Sequence, residues 1–321
     1  MKTSLAYVAC GVALALSLAP AAARAETPRE STPQGTGKGR QQAARENNES
    51  PLVSTAWLAQ HLNDPGLVLF HMGPDADYPA QHIPGARLLQ LRAISNDEGA
   101  PGALTLEMSS PEKLHAQLEA VGISDDSRIV VYGASDWISA VTRAIFTFLY
   151  AGLENVSMLD GGLEAWKKEG RELTAVIPPA TPGKLSPLKM TPLLADAAFV
   201  QSHAHMPEFV VVDARDTSFY DGTQERSGTH MPGHIRGATS VPFRQLNGDD
   251  LKWKPAAELE AIFAKAGVKP ADTVIGYCHI GQQATVLLFA ARSLGHRVLL
   301  YDGSYEDWAR RALPVDNPAK K

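Results

Sequence analysis

The sequence predicts an α/β protein of two tandem domains, each a mainly parallel sheet covered by helices on both faces. Three observations carry that expectation. Five anchors recur in the same order at offsets between 141 and 152 residues, beginning with Leu52-Val53-Ser54-Thr55-Ala56-Trp57-Leu58 against Leu193-Leu194-Ala195-Asp196-Ala197-Ala198-Phe199. Short apolar runs alternate with longer stretches whose apolar residues fall at helical spacing. The strand-length runs are continuously apolar rather than alternating, the pattern of strands buried on both faces.

In chain order, residues 1–25 read as a secretory signal peptide. Lys2 supplies a positive start, an apolar stretch runs from Leu5 to about Ala19, and Ala21-Ala22-Ala23-Arg24-Ala25 offers a small-residue cleavage site. That apolar stretch is too short to span a bilayer, so no membrane insertion is expected after cleavage, and the destination is the periplasm or the exterior. Losing Lys2 and Arg24 moves the net charge from -5 to -7, which argues against a nucleic-acid or anionic-lipid surface. Residues 26–50 are polar and almost devoid of large apolar side chains, and read as a disordered tether. The run Gly35-Thr36-Gly37-Lys38-Gly39-Arg40 lacks the preceding strand, the following helix and the Ser/Thr of a phosphate loop, so it belongs to that tether.

The two domains are placed at residues 51–175 and 192–316, joined by a linker over 176–191 that contains Pro178, Pro179, Pro182 and Pro187. The remaining anchors pair Leu67–Phe70 with Phe209–Val212 and His82-Ile83-Pro84-Gly85-Ala86 with His234-Ile235-Arg236-Gly237-Ala238. They also pair Ile129–Tyr132 with Val274–Tyr277 and Leu159-Asp160-Gly161 with Tyr301-Asp302-Gly303. In the second unit, strands are expected at 209–212, 273–277 and 297–301, with helices at 256–266 and 283–294. Ligand sites in such sheets form beyond the carboxyl ends of the strands, and Tyr277-Cys278 stands at one of them.

Beyond the signal segment, Cys278 has no cysteine to pair with, which leaves a packed thiol, a handle for another molecule or a reactive group. Local sequence favours reactivity. Cys278-His279-Ile280-Gly281-Gln282-Gln283-Ala284 links a strand to a helix start, where unpaired N–H groups stabilise negative charge on sulfur. Gly281 relieves the turn, and a protonated His279 would add positive charge.

At these residues the chain resembles the tandem rhodanese-domain sulfurtransferases, over about Leu52 to Val315. The resemblance rests on Val212-Asp213-Ala214-Arg215, Gly233-His234-Ile235-Arg236-Gly237-Ala238, Tyr277-Cys278 and Tyr301-Asp302-Gly303-Ser304-Tyr305-Glu306-Asp307-Trp308. It implies a persulfide on Cys278, stabilised by loop N–H groups from His279 through Ala284, with His279, Ile280, Gly281, Gln282, Gln283 and Ala284 around the substrate. A small sulfur donor and acceptor are the implied partners, and no metal or organic cofactor is required. The first unit is implied to be a structural partner, because Gly133 stands at the cysteine's position, followed by Ala134, Ser135 and Asp136.

The departures concern substrate choice. The cationic residues of thiosulfate-specialised members and the small Gly-Ser or Gly-Thr pair of mercaptopyruvate-specialised members are both absent after Cys278. Phe219 occupies a position often held by arginine, which makes Arg226 either its replacement or a solvated loop residue. The resemblance also implies that Asp213 and Arg215 form a structural ion pair. His82 and His234 read as structural hydrogen-bonders, Trp57, Trp137, Trp166 and Trp308 as core or interface residues, and His203 and His205 as a solvated pair. A cysteine phosphatase or arsenate reductase would need an arginine where Ala284 stands. Two other readings stay open: a persulfide carrier that serves a protein partner, and an exported binding module in which Cys278 merely packs.

Overall fold

The computed structural model describes residues 51–320 apart from 97, 98, 100, 137, 228 and 229. The signal segment, the tether and Trp137 therefore lie outside the described residues. In the first half the elements are β1 (Leu52–Val53), α1 (Thr55–His61), β2 (Leu67–Met72), β3 (Arg87–Leu88), α2 (Pro111–Ala120), β4 (Arg128–Gly133), α3 (Ile138–Tyr150), β5 (Val156–Leu159) and α4 (Gly162–Lys168). The second half repeats them as β6 (Leu194–Ala195), α5 (Ala197–His203), β7 (Phe209–Asp213), α6 (Thr217–Tyr220), β8 (His234–Ile235), β9 (Thr239–Ser240), α7 (Ala256–Lys265), β10 (Thr273–Tyr277), α8 (Ala284–Ser293), β11 (Arg297–Tyr301), α9 (Ser304–Arg310) and β12 (Val315–Asp316).

Each half folds as a five-stranded parallel sheet. The orders are β1-β5-β4-β2-β3 and β6-β11-β10-β7-β9, and β12 pairs antiparallel with β8 beside the second sheet. The internal strands β2, β4 and β10 are almost wholly buried, as their unbroken apolar runs require. Equivalent caps start equivalent helices: Ser54 Oγ accepts the Trp57 N–H (3.0 Å) at α1, and Asp196 Oδ1 accepts the Phe199 N–H (2.7 Å) at α5. The short 3₁₀ segments Leu91–Ile94 and Phe243–Gln245 also correspond.

The duplication extends to single atoms. Tyr132 Oη accepts the Ile83 N–H at 3.0 Å, and Tyr277 Oη accepts the Ile235 N–H at 3.1 Å. His82 and His234 each place Nδ1 2.8 Å from a tyrosine carbonyl, Tyr78 and Tyr220, and stack on that tyrosine's ring. Trp166 and Trp308 are buried and donate to Glu172 O and Pro314 O. Trp57 is half-buried, between His61 and the Arg128 guanidinium. His203 departs from the solvated expectation: it stacks on Phe199 with ring centroids 3.8 Å apart, bonded to the Phe199 carbonyl.

The inner helices of the two halves pack on each other, α3 against α8, and one apolar cluster runs through both halves. Thr142 Oγ1 and Thr285 Oγ1 meet at 2.8 Å within this contact. Among the described residues no helix is long and apolar enough to cross a membrane, and no group of three or more His, Cys, Asp or Glu is placed to hold a metal ion.

Candidate active site

In the second sheet, strand order reverses between β7 and β10, and this reversal opens a crevice at the carboxyl end. Cys278 follows β10 directly, with Tyr277 in register with Asp213 of β7. Beneath the cysteine lies a fully bonded polar frame. Arg215 grips Asp213 through Nη2 at 2.6 Å and Nε at 3.0 Å, donates to Gly233 O at 2.8 Å and lies over the Tyr305 ring. Tyr277 donates to the same Asp213 carboxylate at 2.7 Å. The first half has His71 and Gly73 at the corresponding positions, and there Tyr132 meets His71 Nδ1 at 3.0 Å instead.

Residues 278–283 form one loop between β10 and α8. Cys278, Gly281 and Ala284 are buried, whereas His279, Ile280, Gln282 and Gln283 are half-buried. The thiol thus has no exposure of its own, and the residues around it form the accessible rim. Gly281 is required on two counts. Its φ is +79°, and a Cβ there would stand 2.8 Å from both Arg143 Nη1 and Asp302 O.

Arg143 escaped the sequence reading because it sits in α3 of the other half, within no motif. It is fully buried, ion-pairs with Asp302 at 2.8 Å, and donates to Gly281 O at 3.3 Å and to Leu106 O. Asp302 in turn accepts the Met108 N–H at 2.7 Å. Gln282 reaches the same interface, donating to Ser139 Oγ at 3.0 Å. One side of the cysteine loop is therefore built by the cysteine-less half.

Ser304 is the second residue whose role the motif alone did not disclose. Its Oγ accepts the Cys278 N–H at 3.2 Å and donates to Tyr301 O at 2.8 Å. The residue has φ +51°, a strained region for a non-glycine, and the corresponding Gly162 has φ +55°. Comparing the repeats, a serine where the cysteine-less half has glycine was the available signal. Ser304→Ala is expected to be less stable than Ser304→Gly by about 1 kcal/mol, since both lose the hydroxyl but only alanine keeps the strain. Urea unfolding of the two variants checks this, and the reverse order would count against strain at this position.

A model of the Rhodanese-like domain matches residues 54–169 and 196–311. The chain belongs to the rhodanese family. Its similarity to sulfurtransferases runs over most of its length. It is 31% identical to the thiosulfate sulfurtransferase of Rattus norvegicus over 281 residues, 82% of this chain and 93% of the relative. The 3-mercaptopyruvate sulfurtransferase of Escherichia coli strain K12 is 30% identical over 82% of this chain and 97% of its own. The "Sulfur carrier protein TtuD" of Thermus thermophilus is 30% identical over 80% and 93%. The solved structure of an anaerobic ergothioneine biosynthesis enzyme from Chlorobium limicola shares the fold. It superposes with TM-score 0.74 at 22% identity, covering 83% of this chain and 70% of that one. The protein is a sulfurtransferase of the rhodanese type.

Within this rhodanese, Phe219 packs edge-on against the His279 ring, with centroids 4.5 Å apart. Burial, reinforced by the charges of Arg215 and Arg226, lowers the His279 pKa from 6.5 to about 4. His279 is thus neutral near pH 7 and does not supply the positive charge expected of a protonated imidazole. Arg226 is exposed on the loop side and close enough for its charge to bear on His279.

His71 is lowered to about 4 in the same way, chiefly by burial. Both histidines bind protons near pH 6.5 in the unfolded chain but only near 4 in the folded one. Folded-state stability is therefore lost as the pH falls from about 6.5 toward 4. The expected result is a urea midpoint lower at pH 5 than at pH 7.5, with a smaller drop in His279→Gln. An unchanged wild-type midpoint across that range would refute the linkage.

Proposed function

We propose that this protein is an exported rhodanese that moves a sulfane sulfur, from a donor such as thiosulfate or mercaptopyruvate, to cyanide or a thiol through a persulfide on Cys278. The observation that carries the reading is Cys278 at the switch point of the sheet, in a loop that ends at the first turn of α8. The Cys278 thiolate attacks the outer sulfur of thiosulfate, the donor S–S bond breaks, and sulfite leaves with the electron pair. The acceptor then attacks the terminal sulfur, and Cys278 leaves as thiolate. Loop N–H groups from His279 through Ala284 stabilise the negative sulfur. His279 belongs to the half-buried rim of the loop, and Arg226 is close enough for its charge to bear on that ring, which supports the pair as candidate contacts for the donor anion. Export is supported by the signal pattern of residues 1–25. The complete burial of Cys278 is a property it would share with a merely packed cysteine, and the loop it opens is what favours reactivity.

The test is intact mass after incubation with thiosulfate. One sulfur atom is expected on the peptide containing Cys278, removed again by cyanide. No adduct with any of thiosulfate, mercaptopyruvate and thiosulfonates would refute the persulfide. A carrier role is the second reading, favoured by the resemblance to the Thermus thermophilus protein named as a sulfur carrier. It differs in that protein thiols would discharge the persulfide faster than small acceptors.

A further inference from the structure

We propose that Asn317 is a positioning residue for capture of the sulfur donor. It staples together the two stems of the loop 222–232, and so sets where Phe219 and Arg226 stand relative to His279. The inference rests on the persulfide reading above and names a determinant of its first half-reaction. The loop leaves at Gly222, three residues after Phe219, and returns at Pro232-Gly233. Four ties join this stretch to the cysteine loop and the frame beneath it. Phe219 packs edge-on against the His279 ring, and the Arg226 charge bears on that ring. Tyr305 Oη donates to Met231 O at 2.9 Å, and Arg215 Nη2 donates to Gly233 O at 2.8 Å. Thr223 to Ser227 and His230 are exposed, so little packing holds the middle of the loop, and its course depends on its ends.

Asn317 follows β12 directly and lies between the two stems. Its Nδ2–H donates to Pro232 O at 3.2 Å on the returning stem. On the departing stem its carboxamide sits against Gly222, where a Cβ would stand 2.8 Å from Asn317 Cγ. Gly222 has φ +77°, so glycine alone lets the stem come this close without strain. Asn317 Oδ1 also accepts the Ala319 N–H at 3.1 Å, and the same N–H reaches Asp221 O at 3.0 Å. β12 is itself fixed by pairing with β8, Asp316 standing in register with His234. The sheet thus delivers one asparagine to a gap that, among the described residues, no backbone hydrogen bond between Gly222 and Pro232 closes. Without that side chain the stems can separate, and Arg226 and Phe219 spend less time in the arrangement that meets the donor.

The test is steady-state kinetics of the full chain and its Asn317→Ala variant, with thiosulfate as donor and cyanide as acceptor. In a ping-pong cycle kcat/KM for each substrate reports its own half-reaction. The variant is expected to lose about fivefold in kcat/KM for thiosulfate through a raised KM, the scale of one hydrogen bond. Its kcat and its kcat/KM for cyanide should stay within about twofold of wild type, because Cys278 and its loop keep their own supports. Asn317→Asp retains the acceptor for the Ala319 N–H but cannot donate to Pro232 O, so it should match the alanine variant. In an Arg226→Gln background the Asn317→Ala change should add less than about twofold, since both act through one loop. An undiminished kcat/KM for thiosulfate, or an equal fall in both half-reactions, would overturn the proposal. If no donor loads Cys278, the persulfide reading fails, and the staple is judged by timed tryptic cleavage after Arg226. Cleavage several-fold faster in Asn317→Ala supports it, and an unchanged rate overturns it.

Discussion

Replacing Cys278 by serine is expected to lower sulfur transfer on the order of 10⁶-fold, the scale on which removing a covalent nucleophile acts. A hydroxyl remains protonated near neutral pH and is a far weaker nucleophile than a thiolate. The serine hydroxyl would also enter a fully buried position. Left unpaired it costs about 1–3 kcal/mol, so a fall in activity must be separated from a fall in stability. Cys278→Ala makes that separation, because it adds no polar atom and should stay folded yet equally inactive. Initial rates of thiocyanate formation, with melting curves of both variants, are the measurements. A serine variant with ordinary turnover would sink the assignment of Cys278 as nucleophile.

Arg143→Met should produce the next largest effect, from a residue in the half without a cysteine. It strands the Asp302 carboxylate at the interface and frees the Gly281 carbonyl. Breaking a buried pair on one side costs about 3–5 kcal/mol, roughly a 10 °C drop in melting temperature. A functional loss should accompany it. In a planar trans peptide the C=O and N–H point in opposite directions, so Arg143 holding Gly281 O outward aims the Gln282 N–H into the loop. The double variant Arg143→Met/Asp302→Asn distinguishes the two effects. Asparagine removes the stranded charge and can still accept the Met108 N–H, so much of the stability should return. The loop remains without its anchor, and kcat should stay depressed about tenfold or more, the cost of misaligned donors at a developing negative charge. Full recovery of kcat along with stability would mean that Arg143 only holds the halves together.

The interface explains why the amino-terminal half persists without a nucleophile. Its α3 packs on α8, its Ser139 and Thr142 bond Gln282 and Thr285, and its Arg143 reaches the loop carbonyl.

Much of this architecture was legible in the linear sequence because it depends on local pattern. Continuous apolar runs dictate buried parallel strands, and the expected strand at 273–277 and helix near 283–294 agree with β10 and α8 to within about one residue. The ordered recurrence of anchors dictates the duplication, and the H-I-x-G-A motif pointed to hydrogen-bonding roles for His82 and His234, which meet the Tyr78 and Tyr220 carbonyls. Cys278 at a strand end was equally plain. Tertiary structure alone decided the rest. Arg143 and Gly281 are 138 positions apart, and no periodicity or spacing encodes a contact across two separately folded sheets. The protonation of His279 was set by burial against Phe219 and by the charges of Arg215 and Arg226, which the sequence leaves open until the loops meet. Local chemistry fixes which backbone each segment adopts; the pairing of distant side chains, and the desolvation that comes with it, exists only once distant segments have packed together, within a half as at His279 or across the two as at Arg143.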